Sequence, residues 1–346
     1  MHNRIIDEDL DYIAKKFPSD RIHNANFLIT GANGFLPSYL VYTLLHLNKK
    51  EERKFKIYAL VRNKKNAEKK FKDYLNDKSL KIIEHDITKQ FWIKDKIDYI
   101  IHGASQASPK FFNTDPVGTL LPNTIGTKNL LDLALKKKSK SFLLMSSGEV
   151  YGNIKKKILE SNFGLVDPLD VHSCYAESKR MAETMCVAWH KQYGVSTKIA
   201  RIFHTYGPGM LPDDGRVQAD FVYDILNNRN IKLKSNGLAK RPFCYISDVS
   251  IACFLLLFHG ENGHAYNVAN PKNLIRIKDL AKLLISISNN KSLKIVRSKN
   301  KQTQNYLKSR IESQSPDIGK ITKLGWSPYI SINDGFVRTI RSYRKI

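Results

Sequence analysis

"LITGANGFLPSYL", Leu28 to Leu40, decides the fold of this chain. An apolar strand-like run, "NFLIT", enters two glycines and leaves through a helical pattern, "GFLPSYLVYTLLHL". Glycine permits the tight turn and lets backbone N–H groups approach a pyrophosphate at the helix N-terminus. A plain strand–helix turn would use similar letters. The strand before, the helix after and the N-terminal position together point to a dinucleotide-binding loop. Gly31, Asn33, Gly34, Phe35 and Leu36 are its candidate contacts. Pro37 stands where a third glycine is usual.

Outward from the loop, strand-like runs alternate with helical ones. "KIYALV", "LKIIEHD", "DYIIHGAS", "SFLLMSS" and "STKIARIF" are apolar and short. "NAEKKFKDYL", Pro116 to Lys138 and Ser173 to Tyr193 read as helices between them. Continuous apolar strands joined by helices imply an α/β fold, a Rossmann-like doubly wound parallel sheet covered on both faces. After Phe203 the chain turns glycine- and proline-rich, and "NIKLKSNGLAKRPF" reads as a hairpin region. The expected organisation is an N-terminal helical extension over 1–25, then a dinucleotide-binding domain over 26–203. A smaller C-terminal substrate-binding lobe takes 204–230 and 261–346, and 231–260 partly returns to the first domain.

The 346 residues carry 57 Lys+Arg against 32 Asp+Glu, a formal net charge of +25. Such an excess favours phosphate-bearing partners. The lysines are scattered between apolar segments, without a zinc-finger or RNA-binding signature, so a solvated basic surface is expected rather than a nucleic-acid partner. Cys174, Cys186, Cys244 and Cys253 have neither metal-ligand nor disulfide-framework spacing, which fits a reducing cytoplasm and no metal centre. The run "IACFLLLF" is too short to span a bilayer, and no signal-peptide pattern opens the chain.

The chemistry sits in two stretches. "SSGEVYG" places Ser147 and Glu149 at the C-terminal end of a strand, where open parallel sheets bind ligands. "CYAESK" places Tyr175 and Lys179 at i and i+4, on one helix face. A tyrosine with a pKa of about 10 is a poor base at neutral pH. A nearby ammonium favours the phenolate, and the same lysine suits a nicotinamide ribose. In "EHDIT", Asp86 suits the adenine amino group.

With these stretches on the page, the chain resembles the extended short-chain dehydrogenase/reductases that modify nucleotide sugars, and within them the UDP-glucuronate decarboxylases. The likeness runs from "TGANGF" to "LGWSP" through "IHGASQASP", "NTIGTKNLL", "CYAESKRMAETMC", "RIFHTYGPGM", "DGRVQADF" and "RPFCYISDV". It implies Ser147, Tyr175 and Lys179 as catalytic residues, with Glu149 as a further acid/base near the sugar. It assigns Ile87 and Ala104 to the cofactor, beside Tyr175 and Lys179. It assigns Ser105, Ser108, Ser147, Glu149, His204, Arg216, Val217, Arg241 and Arg310 to a UDP- or dTDP-linked sugar. It further implies a homodimer through paired helices. Several positions depart from the decarboxylase pattern. Gly148 replaces a polar residue, His204 an asparagine, Gly209 an arginine, and Gln314 stands where an arginine is frequent.

The second strand ends in Val61 followed by Arg62. An NAD enzyme usually places a carboxylate there for the ribose hydroxyls. Arg62, with Lys64 and Lys65 nearby, suits a 2′-phosphate through charge-assisted bonds. NADP(H) is therefore favoured over NAD(H). From that follows the expectation of an NADPH-dependent reductase acting on a nucleotide-linked 4-keto sugar. The alternatives are UDP-glucuronate decarboxylation with a recycled cofactor and a non-catalytic NADP-binding sensor or scaffold.

Overall fold

A computed structural model describes residues 3–18, 22–154, 157–211, 214–290, 292–297 and 313–344. Six parallel strands form the first part of the sheet: β1 (Asn24–Thr30), β2 (Lys54–Val61), β3 (Leu80–Glu84), β4 (Tyr99–His102), β5 (Ser141–Ser147) and β6 (Thr197–Ile202). A seventh, β7 (His264–Val268), pairs in parallel with β6 and completes the order β7-β6-β5-β4-β1-β2-β3. Neighbours of β1 lie on opposite sides, β2 and β4, so the chain reverses direction across the sheet there. The crevice at the carboxyl end of such a switch point is where this fold binds ligands.

Both faces are covered because the strands alternate between two apolar cores. Phe27, Ile29, Leu143 and Met145 face one core, which holds the helices Phe35–Glu51 and Ile246–His259. Leu28, Phe142 and Leu144 face the other, with Leu130, Leu131, Ala182 and Cys186 from the helices Ile125–Lys137 and Cys174–Tyr193. This period of two, apolar on both phases, is why the strands read as unbroken hydrophobic runs.

Three expectations change. The segment His264–Val268, expected in the smaller lobe, is the edge strand of the main sheet; "HAYNV" has no apolar run to announce it. The supposed hairpin does not pair with itself. Ile231–Leu233 pairs in parallel with Ile295–Arg297, and Lys240–Pro242 pairs antiparallel with Leu274–Arg276. The long helix from Pro116 is two helices, Pro116–Asn123 and Ile125–Lys137, broken at Thr124. Pro122, lacking an N–H, weakens the ladder just before the break.

The N-terminal helix, Arg4–Lys15, is capped by the Asn3 side chain and packs into the domain. Its buried Asp9 accepts from Tyr39 and Tyr245 and pairs with Arg338 at 2.7 Å, tying both ends of the chain to the first core. Burial raises the Asp9 carboxyl to about 6, against the pull of Arg338.

Candidate active site

The dinucleotide loop is built by steric necessity. Gly31 has φ +64°, and a Cβ there would lie 2.7 Å from the Cα of Ala104. Backbone meets backbone, so only glycine fits. Gly34 caps the helix Phe35–Glu51 and offers no side chain, leaving the first helical amides at Phe35 and Leu36 for an anion. The missing third glycine is compensated across the gap. A Cβ on Gly103 would meet the Pro37 ring at 2.7 Å, so the bare backbone of residue 103 makes room for it. Asn33 lies in the loop between the two glycines. These features fit a dinucleotide diphosphate.

The remaining cofactor candidates follow the carboxyl ends of β3 and β4. Asp86 accepts from the Thr88 N–H at 2.9 Å; that bond, and further the Arg62 charge, hold its carboxyl below the usual range. Ile87 packs where a Gly126 Cβ would stand, and its carbonyl accepts from Asn129. Ala104 donates its N–H to Thr30 Oγ1 at 3.2 Å. The same hydroxyl meets His102 Nδ1, and His102 Nε2 meets Thr127, both at 3.0 Å. Burial drops this imidazole to about 3, so it is a neutral strut under the β1–β4 switch.

Tyr175, Lys179 and Glu183 recur at i, i+4 and i+8 on one face of the helix Cys174–Tyr193. Tyr175 is buried and stacks on Phe112 with centroids 5.2 Å apart and planes 14° apart. Lys179 Nζ donates to the Met145 carbonyl at 2.8 Å, and burial lowers it to about 8. The sequence-based expectation that Lys179 lowers the Tyr175 pKa is corrected here. Burial pushes the phenol up, opposed by a Ser147 hydrogen bond and the Arg216 charge. One of the three ammonium donors goes to Met145, and Nζ lies 5.9 Å from the Tyr175 ring centre.

Glu149 lies on the single turn Gly148–Tyr151 that follows β5, and its N–H donates to Ser147 Oγ. Burial raises its carboxyl above the usual range, with Arg241, a Gln314 hydrogen bond and Arg216 pulling it down. Arg216 is fixed by Asp214 at 2.5 Å and by the Ala107 carbonyl at 2.8 Å. Val217 starts the helix that follows. Ser108 donates to the Asp214 carbonyl, which binds the same two loops together. The Ser105 hydroxyl oxygen is buried without a hydrogen-bond partner among the described residues. Arg241 is buried and donates to the Lys240 carbonyl. Arg310 lies outside the described residues.

The departures noted in the sequence have local causes. A Cβ on Gly148 would sit 2.6 Å from the Phe203 ring, which fills the space a polar side chain would need. Gly209 has φ +85°, a left-handed backbone. His204 Nε2 meets Gln314 Oε1 at 2.6 Å, and burial followed by Arg241 takes its pKa to about 3. It is a neutral packed group.

A family model described as the NAD dependent epimerase/dehydratase family matches residues 27–269, the loop, the Ser-Tyr-Lys set and β7 included. The chain belongs to that family. UDP-glucuronic acid decarboxylase 6 of Arabidopsis thaliana is 34% identical over 314 residues, covering 90% of this chain and 87% of the relative. UDP-glucuronic acid decarboxylase 1 of Xenopus tropicalis is 33% identical over 338 residues, covering 96% and 75%. A dTDP-glucose 4,6-dehydratase double mutant from Streptomyces venezuelae, solved with NAD, superposes with TM-score 0.76 at 25% identity, over 92% of this chain and 97% of that one. A Bacillus cereus UDP-glucuronic acid 4-epimerase shares the fold at TM-score 0.77 and 23% identity, over 92% of this chain and 98% of that one.

Sequence reasoning missed three groups packed around these candidates. Phe112 had no signal outside the fold. Asn123, within the quoted "NTIGTKNLL", donates to Thr119 O and Ser178 Oγ, and its own Oδ1 is buried without a partner among the described residues. Arg201 forks onto Glu183 beside β5, in "RIFHTYGPGM" and "CYAESKRMAETMC", stretches read only for likeness.

Proposed function

We propose that the protein decarboxylates a UDP-linked hexuronate through transient oxidation at C4, with no net consumption of reductant. The observation that carries this reading is Glu149, a carboxyl with its pKa raised by burial, placed with Ser147, Tyr175, Arg216 and Arg241. Simple ketone reduction has no use for it. The decarboxylase relatives support the same choice over the reductase expected from Arg62.

The bound nicotinamide supplies a hydride acceptor and donor. Tyr175 Oη, its phenolate favoured against burial by Ser147 and Arg216, takes the C4 hydroxyl proton and later returns it. Ser147 hydrogen-bonds the C4 oxygen, and Lys179 holds the ribose. Oxidation at C4 makes the sugar a β-keto acid. Its C5–carboxyl bond then breaks with the electron pair moving into the ketone. Glu149, held partly as an acid, supplies a proton to the carbon left behind. Arg216 and Arg241 suit the diphosphate and the sugar carboxylate by charge-assisted hydrogen bonding.

Incubation with UDP-glucuronate and no added reductant is expected to release carbon dioxide with the absorbance of reduced cofactor unchanged at the end. Stoichiometric NADPH loss with a nucleotide-linked 4-keto sugar, and no carbon dioxide from glucuronate, would reinstate the reductase. Arg62 is the specific feature behind that second reading and behind NADP(H). It is exposed, and its charge reaches Asp86 and Asp115, two carboxylates that a 2′-phosphate would have to approach. Arg62→Asp in the same assay is expected to weaken NADP binding at least tenfold relative to NAD, since it replaces a charge-assisted bond with a repulsion; an unchanged NADP/NAD ratio removes Arg62 as a selector. A second copy of the chain is the partner best suited to Val117, Leu121, Ile125, Met181 and Val187, apolar side chains exposed along the two interacting helical layers.

A further inference from the structure

We infer that Gln314 is a positioning residue for Glu149, its amide bridging the Glu149 carboxyl to the His204 ring so that a chain of neutral groups orients the acid. The inference deepens the decarboxylase reading and rests on Glu149 acting in that site.

Gln314 is 1% exposed and is set by the backbone. Its N–H donates to the Lys240 carbonyl, and Ser313 bridges Lys240 beside it. Its two amide ends meet different partners. One hydrogen-bonds Glu149, and Oε1 lies 2.6 Å from His204 Nε2. A carboxylate only accepts, so the amide must present its NH2 to Glu149 and its carbonyl to the ring. That choice fixes the tautomer. His204 carries its proton on Nε2 and donates it to Gln314. The ring is held in place by Phe243, 5.8 Å away between centroids.

Neutrality is the point of the arrangement. A cation at position 314 would pair with Glu149 and keep it ionised. An amide gives one hydrogen bond and no net charge, so the acid retains a pKa that burial has raised. The charged and titratable groups facing this corner come from four other elements: Arg241 from Lys240–Pro242, Arg216 from the cap of Val217–Leu226, Tyr175 from the catalytic helix, and His204 from the turn after β6. The two arginines favour the carboxylate. His204 stays neutral because of its burial and those same arginines.

The test needs no substrate. In the dinucleotide-loaded protein with 13C-labelled glutamate side chains, the Glu149 carboxyl is assigned by its loss in Glu149→Gln and titrated by NMR. Gln314→Met removes a hydrogen bond to the ionised form, so the midpoint is expected to move to higher pH by about one unit, the size of a charged hydrogen bond. His204→Phe frees the far end of the amide and is expected to move it the same way by less. Should Gln314→Met fail to fold, Gln314→Asn, too short to reach both partners, carries the same expectation. An unmoved midpoint in a folded variant overturns the inference. So does a Gln314→Met effect on the pH–rate profile that persists in the Glu149→Gln background, since it would then not act through Glu149. A failure to turn over UDP-glucuronate would sink the proposed reaction and leave this titration readable.

Discussion

Tyr175→Phe is expected to lower kcat by about 10²–10⁴-fold, the range spanned by a positioned acid–base group. The substitution is nearly isosteric. The ring stacks on Phe112 and is 7% exposed, and phenylalanine keeps both the stack and the volume. Only Oη is lost, and with it the Ser147 hydrogen bond and the group proposed to exchange a proton with the sugar C4 oxygen. Dinucleotide affinity, read by quenching of the reduced cofactor's fluorescence, should stay within about twofold, because Lys179 is anchored to the Met145 carbonyl independently of the phenol. A kcat within tenfold of the parent would take Tyr175 out of the chemistry. A cellular output that survives with binding intact and turnover abolished would favour the sensor reading instead.

The largest expected effect on stability comes from the ion pair beside β5. Arg201 and Glu183 meet at 2.7 Å with side chains 11% and 10% exposed. Glu183 also accepts from Ser146 at 2.5 Å, and Arg201 donates to Tyr151 Oη and to the Glu160 carbonyl. Glu183→Ala leaves the guanidinium buried without its counter-charge and is expected to cost about 3–5 kcal/mol, read as a fall in the urea midpoint at unchanged slope. Replacing both partners, as Glu183→Leu with Arg201→Met, is expected to recover much of that loss, because no unpaired charge remains. A single variant within about 1 kcal/mol of the parent would mean that water reaches the site. The loss of Glu183 also removes a charge that supports the Lys179 ammonium, whose pKa should then fall further below about 8.

The assignment of roles within the site depended on distances. Tyr175 and Lys179 share a helix face at i and i+4, yet the lysine's hydrogen bond goes to β5. The spacing is local, whereas the partner comes from a strand 34 residues earlier. Gln314 reads as a lost arginine in "SQSPD". Only the folded chain brings it to His204, 110 residues away, and to Glu149. Pro37 reads as a defect in the glycine loop until Gly103 is seen to clear its space.

By itself the sequence determined the parallel sheet and the glycine turn, and it singled out Ser147, Tyr175 and Lys179 as candidates. Each is written in short-range patterns: apolar runs of strand length, a strand–glycine–helix junction, and a four-residue helical repeat. Only the tertiary structure decided that β7 closes the sheet edge, that Arg201 pairs with Glu183, and that Glu149 is held by a neutral amide. Those outcomes depend on burial and on partners remote in the chain. Burial is what makes a polar contact strong and an unpaired charge costly, and no local pattern encodes it.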